Sequence, residues 1–198
     1  MIYICTHLDK PAYNLDCEYQ IIKNDSTEFK NNIAETGNKY RHLRGIYNLY
    51  KNYELPNEIG IFQQKRYLGA TTIPEGYDIV VPKPFFAWQI YAQFNHHHNI
   101  NDLNLVRQII NDKSFDEYLF MNNNLETYWD NMFIMKKDDF NKYCEFLFDV
   151  LFEFDKITNY ENDTYPYCAY LGERIGSYWI YKNIDRSKIF LADRLEVS

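Results

Sequence analysis

The segment Asn57-Glu-Ile-Gly-Ile-Phe-Gln-Gln-Lys-Arg-Tyr-Leu68 joins an apolar stretch directly to two amides, two cations and an aromatic residue. Residues 59–62 are apolar throughout, which is typical of a strand buried on both faces of a parallel sheet. Ligands of open α/β sheets bind where such strands end, at the carboxyl edge. The polar cluster therefore predicts a ligand site, although an exposed basic turn would have the same composition. Its members are Gln63, Gln64, Lys65 and Arg66.

Strands and helices alternate on either side of this segment. Apolar runs predict strands at residues 2–5, 59–62, 77–81 and 128–135, with a weaker candidate at 19–22. Helical spacing of apolar residues predicts helices at residues 40–52, 85–94, 102–111, 138–157 and 168–183. This alternation indicates an α/β fold with a central, mostly parallel sheet flanked by helices. No Gly/Ser-rich or Pro-rich linker interrupts the 198 residues, so we expect a single domain over residues 1–198.

Composition limits the class of protein. The formal net charge of -7 argues against nucleic-acid binding, which normally needs a basic face. The chain shows no signal-peptide pattern and no run of roughly 18 apolar residues, so we expect a cytoplasmic protein without a transmembrane segment. Peripheral association with a membrane stays open. The four cysteines form no C-x-x-C pair, which predicts reduced, mostly buried thiols.

Two cationic groups suggest sites for phosphate. The predicted helix at 40–52 carries Arg41, His42 and Arg44 in its first turn, where cations oppose the helix dipole. A bound phosphate would compensate for this unfavourable interaction, and solvation of the side chains would do so equally. The run of His96, His97 and His98 cannot easily bind one metal ion, because consecutive side chains point in different directions. A metal site would therefore use at most one or two of them. The other interpretations are a set of histidines near a leaving phosphate and a solvated helix end.

Two acidic residues are candidates for a general base. Asp130 lies beside Asn131 in the otherwise apolar predicted strand at 128–135, so both need polar partners if they are buried. Glu173 precedes Arg174 at the predicted start of the last helix, where the dipole favours a carboxylate. That pair is either an ordinary ion pair or a base held by its neighbour. The chain has no Asp-x-Asp and none of the common phosphate-loop, dinucleotide or zinc-hydrolase motifs.

Several segments resemble, in the same order, a family of bacterial exopolysaccharide and capsular polysaccharide glycosyltransferases with a GT-A-like fold, long filed as a domain of unknown function. Ile4-Cys5-Thr6-His7 is similar to that family's first strand, and residues 38–47 are similar to its Asn-Tyr-x-Glu-Leu-x-x-x-Tyr helix. Residues 59–68 resemble its Ile-Gly-x-x-His-Tyr-Arg-Arg-Tyr-Phe signature, and Tyr77-Asp-Ile-Val-Val-Pro82 its Tyr-Asp-Ile-Ile-x-Pro strand. The resemblance extends to about residue 183. Gln63 and Gln64 replace the signature's His-Tyr pair.

The resemblance implies transfer of a sugar from a nucleoside diphosphate donor, with uridine favoured, to a surface glycan such as capsule, exopolysaccharide or lipopolysaccharide. It implies donor contacts from Thr6, His7, Arg41, Arg44, Gln63, Gln64, Lys65, Arg66 and Asp78. Acceptor contacts are expected from His96, His98 and Asn131, and a base from Glu173 or Asp130. Without an Asp-x-Asp motif, cations would neutralise the leaving diphosphate. A divalent Mn or Mg ion held by isolated carboxylates such as Asp78 stays open.

Two alternatives come from other classes of protein. One is a catalytically silent nucleotide- or carbohydrate-binding module of a polysaccharide-assembly complex that has lost the His-Tyr pair. The other is a scaffold subunit of such a complex. The sequence does not identify the sugar, the acceptor or the stereochemical outcome.

Overall fold

A computed structural model describes residues 1–84, 89–121, 127–160 and 165–197. Its main sheet has six strands in the order β2-β1-β3-β6-β5-β7, and β4 pairs with β8 in a small second sheet. β1 is parallel to β2 and β3, and β5 is parallel to β7, whereas β6 runs antiparallel between β3 and β5. The expected α/β fold with a mostly parallel sheet is therefore confirmed. The strands are β1 (Ile2–Thr6), β2 (Tyr19–Lys23), β3 (Glu58–Gln63), β4 (Arg66–Leu68), β5 (Ile79–Pro82), β6 (Phe133–Lys136), β7 (Ile189–Ala192) and β8 (Arg194–Glu196).

The helices cover one face of the main sheet. Tyr3 and Ile61 belong to the large apolar cluster beneath them, whereas Ile4 and Phe62 belong to a smaller cluster on the opposite face. Alternate side chains of a strand point to opposite faces, so covering both faces requires the continuous apolar runs seen in β1 and β3. The helices are α1 (Leu43–Asn52), α2 (Ile90–His97), α3 (Ile100–Ile110), α4 (Lys113–Phe120), α5 (Lys137–Thr158) and α6 (Tyr167–Asn183).

Two predicted elements differ from the structure near the site. The first half of the predicted strand at 128–135 is wrong, since residues Trp129–Asn131 form a 3₁₀ turn and β6 begins only at Phe133. Asp130 has a φ of 70° in this turn, a conformation that Asp and Asn tolerate better than other side chains. The predicted helix at 40–52 starts at Leu43, because Arg41 has a φ of 45°. Residues 85–88 of the predicted helix at 85–94 lie outside the described residues.

The cysteines and the two longest helices agree with the sequence expectations. All four cysteines are free, and Cys5, Cys144 and Cys168 are buried. The predicted helix at 138–157 corresponds to α5, and that at 168–183 to α6. Among the described residues, every helix is too short or too polar to cross a lipid bilayer.

Glycines on α6 let this helix approach its neighbours closely. A Cβ atom at Gly172 would lie 2.8 Å from Leu43 Cδ1. A Cβ atom at Gly176 would lie 3.0 Å from Tyr143 Cζ and closer still to the hydroxyl oxygen of the same ring. Tyr143 is fully buried and donates from its hydroxyl to Asn131 Oδ1 at 3.3 Å, so its ring has little freedom to move. The packing of α6 thus supports the 129–131 turn.

We expect Gly176→Ala to lower the free energy of unfolding. Overpacking typically costs roughly 1–3 kcal/mol, which exceeds the roughly 0.8–1.0 kcal/mol that Ala gains over Gly inside a helix. Gly69→Ala is the matched control, because its Cβ would meet no atom nearer than 3.6 Å. Urea unfolding of both variants measures the difference. A Gly176→Ala protein as stable as the wild type would contradict the tight contact with Tyr143.

Candidate functional site

The crevice between the carboxyl ends of β1 and β3 is the topological switch point of the sheet. The chain leaves β1 towards β2 on one side, and leaves β3 towards the other half of the sheet. Ligands of open α/β sheets bind where such connections diverge. A pocket of about 330 Å³ opens there, which we call the strand-end pocket. It is lined by Cys5, Thr6, His7, Asn24, Asn38, Arg41, His42, Arg44, Gln63 and Gln64.

The floor of the strand-end pocket offers neutral donors and acceptors. Thr6 Oγ1 donates to Gln64 Oε1 at 3.4 Å and accepts from the Leu8 backbone N–H at 3.0 Å. Asn24 Oδ1 is buried and accepts no hydrogen bond from the described residues. Amide and hydroxyl groups of this kind can both donate hydrogen bonds to and accept them from a nucleobase or a sugar hydroxyl. The predicted meeting of Thr6, His7, Gln63 and Gln64 at one edge therefore agrees with the structure.

The cations of this pocket differ in their availability. Burial lowers the pKa of His42 to about 4, so its ring is neutral near pH 7, and its Nε2 lies 3.2 Å from Asn131 Nδ2. Arg44 donates to the backbone oxygens of Arg41 at 3.2 Å and Ala34 at 3.0 Å, so it holds the chain before α1. Arg41 is exposed at the pocket rim. It is the better placed of the two arginines to meet an anion.

A second pocket of about 260 Å³ lies beside the first, and we call it the carboxylate pocket. The 129–131 turn separates the two. Gln63 of the strand-end pocket donates to the Asp130 backbone oxygen, and the Arg41 guanidinium lies 5.7 Å from the centre of the Tyr170 ring. The two pockets are thus neighbouring parts of one cleft. The carboxylate pocket is lined by Arg66, Gln93, His98, Trp129, Asp130, Tyr170, Glu173, Arg174 and Arg194.

Glu173 is a carboxylate held in this pocket by a buried cation. Burial raises its pKa to about 7, although the neighbouring Arg174 acts in the opposite direction. Arg174 Nη1 donates to Glu173 Oε2 at 2.8 Å, and Arg174 Nη2 donates to Gln93 Oε1 at 2.6 Å. A carboxylate with a pKa near 7 can take up and release a proton at neutral pH, as a general base requires. The expected position at a helix start is wrong, because α6 begins at Tyr167 and Glu173 lies well inside it.

Asp130 is engaged by two arginines. Its Oδ1 accepts from Arg66 Nη1 at 2.7 Å, and its Oδ2 accepts from Arg194 Nε at 2.5 Å. Both guanidinium groups also contact Glu196, at 3.2 Å from Arg66 and 3.0 Å from Arg194. Burial lowers the pKa of Arg66, but Asp130 and Glu196 more than offset this and raise it overall. With both oxygens paired, Asp130 is placed to orient arginines, and Glu173 is the better candidate for a base.

The structure separates the expected acceptor histidines. His98 lines the carboxylate pocket, where its ring stacks on Tyr170 with centroids 4.3 Å apart and its Nδ1 lies 2.5 Å from the Tyr165 hydroxyl. Burial lowers the pKa of His98 to about 4, so it is neutral near pH 7. His96 is exposed and lines neither pocket. Asn131 is buried behind His42 and Tyr143, where it supports the 129–131 turn.

Two predicted donor residues lie elsewhere. Asp78 precedes β5 and pairs with Lys136, which ends the antiparallel β6. Since β5 runs parallel to β1 and β3, Asp78 lies at the amino edge of the sheet, and it lines neither pocket. Lys65 is exposed and lines neither pocket, while its backbone oxygen accepts from Val197.

Across residues 1–84, 89–121, 127–160 and 165–197, no three His, Cys, Asp or Glu side chains come together in a group that could hold a metal ion. Asp130 and Glu173 are both paired with arginine.

Several residues that line the carboxylate pocket were not predicted. Tyr170 shares one face of α6 with the predicted Glu173, so helical spacing from Glu173 could have indicated it. Gln93 of α2 and Trp129 complete the surroundings of Arg174, whose guanidinium lies 4.5 Å from the Trp129 ring. Arg194 reaches the pocket through β8, which has no apolar pattern strong enough to predict a strand.

Comparisons with known proteins agree with this architecture. A family described as "Domain of unknown function (DUF4422)" matches residues 2–184. A solved structure of WbbM, titled a bifunctional glycosyltransferase in its apo form, matches with a TM-score of 0.78 at 19% sequence identity. The match covers 100% of this chain and 45% of that chain, so the chain spans less than half of the solved protein. At this identity the likeness shows a shared fold. No curated protein matches the chain.

Proposed function

The chain belongs to the DUF4422 family, and from this premise and the two pockets we propose that it is a glycosyltransferase that uses a nucleoside diphosphate sugar. WbbM, whose fold the chain shares, is titled a glycosyltransferase. The observation that carries the proposal is Glu173, a carboxylate with a pKa of about 7 in a pocket adjoining the switch point of the sheet. Nucleotide binding at the switch point and a base beside it are what such a transfer needs.

The two pockets divide the substrates between them in this proposal. The base and ribose of a uridine donor bind the neutral groups around Thr6, Asn24 and Gln64 in the strand-end pocket. The diphosphate lies towards Arg66 and Arg194, which pair with Asp130, and the glycan acceptor enters the carboxylate pocket beside Tyr170 and His98. Aromatic rings commonly provide apolar faces at such ligand sites. The acceptor is a surface glycan of the capsule, exopolysaccharide or lipopolysaccharide type, as the sequence resemblance implies.

Glu173 acts as the base in an inverting transfer. Its carboxylate takes the proton of the acceptor hydroxyl while that oxygen forms a bond to the anomeric carbon of the donor sugar. The bond between the anomeric carbon and the diphosphate oxygen breaks, and its electron pair leaves with the diphosphate. Developing negative charge on the leaving group is stabilised by guanidinium groups placed beforehand. Arg174 holds the Glu173 carboxylate in place throughout.

We expect uridine nucleotides to bind the strand-end pocket. A thermal-shift screen of nucleotide sugars with and without Mn²⁺ tests this, because a ligand at 100 times its dissociation constant stabilises the folded state by roughly 2.7 kcal/mol. Calorimetry with UDP, GDP and CMP then ranks the affinities for the three nucleotides. If none of the three binds at millimolar concentration, the donor site is refuted.

A nucleotide- or glycan-binding module without turnover is the second candidate. The observation that favours it is the pairing of Glu173 with the buried Arg174 at 2.8 Å, since a carboxylate held in this way can be a structural ion pair instead of a base. Binding of UDP and of the UDP-sugar without release of UDP would favour the module. Release of UDP from the donor in the presence of acceptor would favour the enzyme.

A further inference from the structure

The carboxylate pocket is completed by residues outside the matched family region. That region ends at residue 184, whereas β7 and β8 follow it. β8 pairs with β4, so that Arg66 lies opposite Glu196 and Leu68 lies opposite Arg194. Two backbone hydrogen bonds fix this pairing, from Val197 N–H to the Lys65 oxygen and from Gly69 N–H to the Asp193 oxygen, each 2.9 Å long. The last strand therefore brings its own cation and carboxylate to the site.

Arg66 and Arg194 share two carboxylates that differ in their surroundings. The Asp130 side chain is 7% exposed and accepts from both arginines, so it is fixed beneath them. The Glu196 side chain is 44% exposed and also contacts both, from the solvent side. A buried carboxylate between two guanidinium groups is costly to remove, whereas an exposed one adds little energy and exchanges readily with another anion.

We propose that Arg194 and Arg66 together bind the diphosphate of the donor, and that the Glu196 carboxylate holds their position until the diphosphate displaces it. This inference rests on the proposed function. Asp130 is a positioning residue here, because it keeps the two guanidinium groups turned towards the pocket. A diphosphate carries two anionic groups, which match two guanidinium groups better than a single carboxylate does.

The displacement follows from charge and geometry together. Exchange of Glu196 for a diphosphate leaves the Asp130 contacts unchanged, so no buried charge loses its partner. The Glu196 side chain is 44% exposed, so it can turn into solvent while the backbone pairing of β8 with β4 is kept. The leaving diphosphate would then be held by the same pair of arginines.

The test is calorimetry of wild type, Arg194→Gln and Glu196→Gln with three probes: inorganic pyrophosphate, UDP and uridine. Arg194→Gln should weaken pyrophosphate and UDP binding by roughly tenfold or more, with uridine binding unchanged. Glu196→Gln should tighten both phosphate ligands by roughly two- to fivefold, the scale of a partly exposed ion pair. A purely structural role would not move the two variants in opposite directions.

The matched controls make the same changes of charge at positions away from the carboxylate pocket. Arg186→Gln changes an arginine before β7, at the opposite edge of the sheet, and Glu145→Gln changes an exposed glutamate of α5. Neither should alter binding of pyrophosphate. The conservative Arg194→Lys should recover part of the pyrophosphate affinity, because a lysine keeps the charge and loses the paired geometry.

The outcomes separate this inference from the proposed function. UDP binding that is equal in wild type, Arg194→Gln and Glu196→Gln overturns the arginine pair and leaves the glycosyltransferase proposal standing. If the variants change the affinity for pyrophosphate as expected but the protein does not bind uridine or UDP-sugars, the anion site stands and the proposal of a nucleotide donor is refuted. Weaker binding in both variants would assign Glu196 a supporting role and overturn the displacement.

Discussion

Glu173→Gln is expected to lower the rate of sugar transfer by roughly 10²–10⁴, the usual contribution of general-base assistance. The substitution preserves the shape of the side chain and its hydrogen bond to Arg174, and removes the group that takes the proton. Donor affinity should stay near that of the wild type, because Glu173 contacts Arg174 and not the pair of Arg66 and Arg194 proposed to hold the donor diphosphate. Transfer rates at saturating donor, together with calorimetry of UDP, measure both quantities.

The pH dependence of the wild-type rate provides an independent check. A base with a pKa of about 7 is active when deprotonated, so the rate should rise with pH through about 7 and level off above it. Glu117→Gln, an exposed carboxylate of α4, is the matched control and should leave the profile unchanged. Turnover near wild type in Glu173→Gln would remove Glu173 from the mechanism and direct attention to Asp130 or to a retaining reaction.

Arg174→Met is expected to lower the free energy of unfolding at pH 8 by roughly 3–5 kcal/mol, the usual cost of removing one partner of a buried ion pair. The Arg174 and Glu173 side chains are 2% and 16% exposed, so water cannot replace the lost contact effectively. The variant also leaves Gln93 Oε1 without its donor. Urea unfolding at constant ionic strength measures the loss.

The loss should be smaller at pH 6 than at pH 8. The folded pKa of Glu173, about 7, lies above its ordinary value of 4.5, so its contribution to stability is fully present below 4.5 and is lost as pH rises through about 7. Without Arg174, a protonated Glu173 is tolerated better than a charged one. Lys156→Met, which breaks the exposed pair with Glu153, should cost at most about 1 kcal/mol. A loss in Arg174→Met that is equally large at both pH values would contradict the buried pairing.

Local patterns predicted the elements that form the strand-end pocket. The apolar runs in β1 and β3 identify strands covered on both faces, and neighbouring parallel strands end at the same edge. Thr6 and Gln63 therefore had to meet once the two strands paired. The same argument places Asp78 at the amino edge, because it stands at the beginning of the predicted strand at 77–81, which is parallel to β1 and β3 in the structure.

The carboxylate pocket depends on features that local patterns do not contain. Trp129 and Met132 make residues 128–135 look like one strand, yet the positive φ of Asp130 and Asn131 turns the chain before β6. Arg66 and Glu196 are 130 residues apart in sequence and meet only because β4 pairs with β8. Such a pairing between two three-residue strands leaves no periodic signal.

The most direct test of the central claim is release of UDP from UDP-sugars by the purified chain in the presence of a glycan acceptor. The comparison is between wild type and Glu173→Gln at pH 8, with UDP quantified by chromatography and the product by mass spectrometry. The account predicts release by wild type that depends on the acceptor and falls by roughly 10²–10⁴ in the variant. Tight UDP-sugar binding with no release by the wild type, across the sugars that bind, would contradict it and identify a binding module.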